Sequence, residues 1–103
     1  MEHRWSIRKP VRLDALVLHR LSGLMPATVL DINLEGAFIA MEYPALPPLA
    51  IVELSFALAI DGKRTIQQTE AFVIHHSCNG YGLMFKDFRL SAFQAVKDVL
   101  YAA

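Results

Sequence analysis

Cysteine is nearly absent from this chain: Cys78 is the only one among 103 residues, so no internal disulfide can staple the fold. That usage fits a reducing cytoplasm. A long hydrophobic run is missing as well. The most apolar stretch, Tyr43 to Leu58, is broken by Pro44, Pro47, Pro48 and Glu53 and cannot supply the roughly 20 apolar residues of a membrane-spanning helix. The start of the chain carries Glu2, His3, Arg4, Arg8 and Lys9 instead of the apolar core of a secretory signal, so export is not expected. Neither sign of charge is in excess, with ten Lys and Arg against ten Asp and Glu. This argues against a protein that holds a nucleic-acid polymer by neutralising many phosphates. Low-complexity tracts and internal repeats are also lacking.

What is present is a composition that folds. Hydrophobic residues make up 54% of the chain and charged residues 19%, the reverse of a disordered segment. The length suits one domain with one modest core. The charge is unevenly placed: residues 1–20 hold Arg4, Arg8, Lys9, Arg12 and Arg20 against Glu2 and Asp14, while the remainder holds five cations and eight anions. Positive charge is thus gathered where a small anion could use it.

Alternating patterns predict six strands. Val11 to Arg20 sets Arg12, Asp14 and His19 against Leu13, Val17 and Leu18, which suits a strand with one buried face. The Ser22-Gly23 turn signal leads into Pro26 to Asn33, and Ala37 to Met41 follows Gly36. Pro44, Pro47 and Pro48 stiffen the next loop. Ile51 to Ile60 reads as a long strand, turned back by the hairpin dipeptide Asp61-Gly62 onto Thr65 to His76. Tyr81 to Phe85 follows the turn signal Asn79-Gly80. From about residue 90 the period changes: Ser91 and Gln94 resemble a capping box, and Phe93, Val96 and Leu100 stand at helical spacing, predicting a C-terminal helix. The expected fold class is mainly β, an antiparallel sheet closed or folded on itself, with that helix covering one opening or packing outside.

Two short patterns carry the functional signal. Arg4-Trp5-Ser6-Ile7-Arg8 reads RxxxR, and Asp31-Ile32-Asn33-Leu34-Glu35-Gly36 reads DxNxxG. Together, at this interval and followed by the glycine-aromatic strand Tyr81-Gly82-Leu83-Met84-Phe85, they resemble the motifs of PilZ domains, the bacterial receptors for cyclic di-GMP. The resemblance covers almost all of the chain. It implies a six-stranded antiparallel barrel over residues 11–103, with a C-terminal helix, behind a flexible leader at 1–10. It also implies cyclic di-GMP as ligand, no cofactor, and a protein effector to which the signal is relayed.

Arginine suits such a ligand because its planar guanidinium can fork onto guanine O6 and N7, pair with a phosphate, or stack on a purine face. By resemblance, Arg4 and Arg8 contact guanine and phosphate, becoming ordered as the ligand binds. Asp31 can accept the N–H donors of a guanine edge or shape the turn through a local Asx-type bond. Asn33 stands where the family usually has serine and keeps donor and acceptor capacity on a larger side chain. Gly36 marks a special backbone angle or a close approach that a Cβ would obstruct. His3, where many members have another arginine, Lys9 and His75 are further candidate contacts. Trp5 either covers the ligand or packs against the barrel.

His75, His76 and Cys78 have no matching cluster elsewhere and do not compose a zinc site. No nucleophile elbow, phosphate loop or HExxH occurs, and no catalytic residue is assigned. The expectation is a cytoplasmic, non-enzymatic receptor, monomeric or weakly dimeric. The alternative is a degenerate PilZ adaptor that acts through protein contact without nucleotide, which His3 and Asn33 favour and Arg4, Arg8, Asp31 and Gly36 oppose.

Overall fold

A computed structural model describes residues 8–41, 46–60 and 62–87 together with residues 94, 96 and 97. Six strands follow in order: β1 (Lys9–His19), β2 (Gly23–Ile32), β3 (Gly36–Ala40), β4 (Ile51–Ile60), β5 (Lys63–Ser77) and β6 (Gly80–Asp87). All neighbours pair antiparallel, in the circular order β1-β2-β3-β6-β5-β4, with β4 returning to β1. Closure gives every strand a paired neighbour on both sides, although β1 meets β4 only over Ala15–Leu18.

The period of two in the sequence is what closes the barrel over a core. Val52, Leu54, Phe56 and Leu58 of β4 point inward and are buried. They meet Val17 of β1, Val29 and Ile32 of β2, Ile39 of β3, Val73 of β5 and Leu83 of β6 in one cluster. Burying each such side chain contributes about 1.5–3 kcal/mol before the entropy of ordering is set against it. The phase of β1 differs from the sequence expectation at its end. His19 is buried, its Nδ1 3.1 Å from Ser22 Oγ, whereas Leu16 and Leu18 face outward, 43% and 44% exposed. Strict alternation from Ala15 and Val17 sets this phase, and it overrides the hydropathy of single residues.

The fold class requires one correction. Among the described residues the architecture is six strands, and the C-terminal α-helix expected from about residue 90 is not among the elements. Past Asp87 only Gln94, Val96 and Lys97 are described, with helical backbone, and no helix is among the elements of the described residues. A periodic stretch of about ten residues is too short to be helical by propensity alone. What the apolar spacing does mark is attachment to the core, because Val96 is fully buried. Among the described residues no helix is long and apolar enough to cross a membrane.

Two irregularities position the site. The β2–β3 pairing steps from Val29–Ile39 to Asp31–Phe38, so two residues of β2 stand against one of β3. The β5–β6 pairing steps in the same way from Val73–Leu83 to His75–Gly82. Each is a bulge that changes which face the following side chain takes.

Candidate functional site

The bulge at Leu30 decides what Asp31 can do. Val29 points into the barrel, and in a regular strand Asp31 would follow it inward; the extra residue puts Asp31 on the outer face and sends Ile32, fully buried, into the core. Pro10 of β1 pairs with Asp31, which sets Arg8, just ahead of β1, beside the same corner. There Arg8 Nη1 donates to Asp31 Oδ1 at 2.6 Å, with the two side chains 49% and 30% exposed. A cation and a carboxylate, both predicted as ligand contacts and 23 residues apart in the chain, are thereby brought together.

The turn after Asp31 is built by Asn33. Its side-chain oxygen accepts from the backbone N–H of Glu35 at 2.9 Å and of Gly36 at 2.7 Å, while its own N–H donates to the carbonyl of Gly36 at 2.9 Å. Asn33 is buried. The Asx-type turn considered for Asp31 is therefore made two residues later, by Asn33, and Asp31 is occupied by Arg8 instead. Gly36 opens β3 where β6 passes very close: a Cβ at this position would lie 2.0 Å from the carbonyl oxygen of Leu83. Of the two roles considered for this glycine, close approach is the one realised. The turn is further tied to β6 by Phe85 N–H, which donates to the Glu35 carbonyl at 2.8 Å.

Asp31 belongs to a cross-strand row on the outer face. It pairs with Phe38 of β3, Phe38 with Gly82 of β6, and Gly82 with His75 of β5. Three strand spacings of about 4.8 Å put Asp31 and His75 roughly 14 Å apart. His75 thus shares the face of the Arg8–Asp31 corner without touching it. Phe38, half-buried at the centre of this row, was not singled out from the sequence; its place two residues after Gly36, on the same side of the strand, is the signal that would have found it. Lys9 opens β1 opposite Ile32 and is half-buried. His3, Arg4 and Trp5 lie outside the described residues. His76 stacks on Tyr81, ring centroids 4.8 Å apart, and the Tyr81 hydroxyl accepts from Leu46 N–H at 2.8 Å.

No protein-family model matches the chain, and no curated protein matches it in sequence. Solved structures do. The Bacillus subtilis inhibitor of motility, MotI/DgrA, superposes with a TM-score of 0.84 at 14% identity, over 97% of this chain and 50% of that one. The PilZ domain of CeSA from a cellulose-synthesizing bacterium superposes with a TM-score of 0.66 at 19% identity, over 93% of this chain and 96% of that one. The chain spans about half the length of MotI/DgrA. At these identities the likeness establishes the fold, which is a PilZ-type barrel.

Proposed function

We propose that this PilZ-type barrel is a receptor for cyclic di-GMP that grips the nucleotide at the Arg8–Asp31 corner and relays its presence to a protein partner. The observation that carries the reading is the 2.6 Å ion pair between these two residues on the outer face. Cyclic di-GMP presents two phosphates and two guanines, each with acceptors O6 and N7 on one edge and N–H donors on another. The Arg8 guanidinium can exchange the carboxylate for a phosphate or for the O6/N7 edge. Asp31, released by the same step, accepts the N–H edge of a guanine. The exchange is inexpensive, since a half-exposed ion pair is worth about 0.2–1 kcal/mol, and each partner gains a charge-assisted bond in return.

In this reading Arg4 supplies a second guanidinium from the segment preceding β1, with His3 and Lys9 flanking it. Asn33 and Gly36 serve by holding the turn that presents Asp31, and His75 borders the far end of the row. The chain acts as a bacterial, cytoplasmic receptor, not as an enzyme. Binding converts the arrangement around β1 into a new surface, because a ligand that prefers one arrangement shifts the population toward it. Isothermal calorimetry with cyclic di-GMP should show saturable binding that weakens at least about tenfold in Arg8→Ala, a loss of about 1.4 kcal/mol or more. No heat at high micromolar nucleotide rejects the proposal.

A second reading, an adaptor that works without nucleotide, is favoured by one observation: Arg8 and Asp31 already satisfy each other, and the Asn33 oxygen is used within the turn. Thermal unfolding with and without cyclic di-GMP separates the two. A receptor at about a hundred times its dissociation constant gains about 2.7 kcal/mol, and an adaptor gains nothing.

A further inference from the structure

On the other side of β1 from this corner, the outer face of β1, β4 and β5 carries a groove that nucleotide binding leaves unused. The outward positions of β4 are Ile51, Glu53, Ser55, Ala57 and Ala59. Register sets Ser55 beside Leu16 of β1 and Ala57 beside Ile66 of β5. Small residues between large ones sink a channel along β4. The resulting depression of about 200 Å³ is walled by Leu16 and Ile66, 43% and 61% exposed, over a floor of Ser55 and Ala57. At one end Arg64 Nη2 reaches across β4 to Asp14 Oδ2 at 3.4 Å. At the other end Glu53 stands directly opposite Glu70, with Leu18 on its other side.

Two carboxylates facing each other across strands are destabilising. Lys86 Nζ lies 3.6 Å from Glu70 Oε1 and offsets one of them, so this end keeps an excess of negative charge. Beside it, Leu18 and Leu24 pair on the outer face, 44% and 62% exposed. The surface therefore combines a slot for one large apolar side chain with an acidic end, two to four residues of β4 away.

We propose that this groove docks a segment of a protein partner bearing one large apolar side chain and, about 7–13 Å from it, an arginine or lysine. The apolar side chain lies over Ala57 between Leu16 and Ile66, as an anchor filling a pocket. The cation joins Glu53 and Glu70, for which the guanidinium fork is best shaped. A second copy of this chain would have to set one of its own exposed apolar side chains, such as Leu24 or Ile66, into the groove with a cation at that distance; it is the alternative that the dependence on protein concentration tests below. The inference goes beyond nucleotide recognition and does not depend on it.

The test uses the full chain, isotope-labelled, without nucleotide. The probe is a synthetic amphipathic helical peptide with leucine and arginine two turns, about 11 Å, apart. Saturable amide shifts are expected at Glu53, Ser55, Ala57 and Ile66. They should require at least about tenfold more peptide when its leucine is replaced by alanine or its arginine by glutamate. Ala57→Trp, which fills the groove, should produce the same loss. Should that variant fail to fold, Glu53→Lys, an exposed change, tests the acidic end instead. The proposal is overturned if shifts are absent at millimolar peptide, are equal for all three peptides, or map to another face. Groove shifts that follow the concentration of the protein itself would also overturn it, in favour of a second copy.

Discussion

Asp31 and Asn33 stand two residues apart in one motif, yet they occupy opposite kinds of environment. Asn33 is buried and its carboxamide oxygen accepts two backbone N–H groups, whereas Asp31 is part-exposed on the outer face and holds one side chain, Arg8, by an ion pair. The first region is a turn clamped against β6, where Gly36 and Leu83 approach too closely for a Cβ. The second is a corner whose bonds can be exchanged at little cost. A motif that reads as one ligand-binding unit thus divides into a rigid support and a reactive pair, and substitutions in the two halves should fail in different ways.

The largest effect belongs to the support. Gly36→Ala places a Cβ 2.0 Å from the Leu83 carbonyl, a clash with backbone that only separation of β3 from β6 relieves. A loss of about 3 kcal/mol or more is expected in urea unfolding, since over-packing alone costs about 1–3 kcal/mol and ladder bonds are lost as well. A fully stable Gly36→Ala would show that the two strands are not held this closely. Next comes Asn33→Ala, which strands two backbone donors and should cost about 2 kcal/mol, while Asn33→Asp, keeping an acceptor in place, should cost less than about 1 kcal/mol. Equal losses for the two variants would mean that the turn does not rest on that oxygen.

At the reactive corner the order of effects reverses. Arg8→Ala and Asp31→Ala should each change stability by no more than about 1 kcal/mol while removing most nucleotide binding. If either variant unfolds the protein, the division into support and corner collapses. The smallest expected effect is the coupling between the two residues. A double-mutant cycle in the free protein should give about 0.2–1 kcal/mol by denaturant unfolding, shrinking as salt is added.

Much of the barrel was legible in the sequence. The run Ile51 to Ile60 is β4 to the residue, because its clean alternation leaves one choice of inward face. Gly23 and Gly62, both taken from turn dipeptides, have φ of 81° and 77°, the left-handed backbone that favours glycine. Less legible was the end of β1, where Leu18 looked buried and His19 exposed; the strand phase runs the other way. The helical spacing after residue 90 marks an apolar side chain seeking the core, which Val96 satisfies, while no helix is an element among the described residues. At the site, the sequence showed which residue types were suited to an anionic purine ligand, but it left Asp31 open between a guanine contact and a turn-building bond, and Gly36 open between two explanations.

What the sequence by itself determined is the set of local preferences: a period of two along six segments, glycines at turns, and an arginine and a carboxylate in two motifs, 23 residues apart in the chain. These follow from each residue and its immediate neighbours. Tertiary structure alone decided the bulges at Leu30 and Ile74, which turn Asp31 and His75 to the outer face, the meeting of Arg8 with Asp31, and the groove that runs along β4. A bulge is chosen by how two strands must shift to close a barrel, and a groove by which side chains the neighbouring strands place beside small ones. Neither quantity belongs to any single segment of the chain.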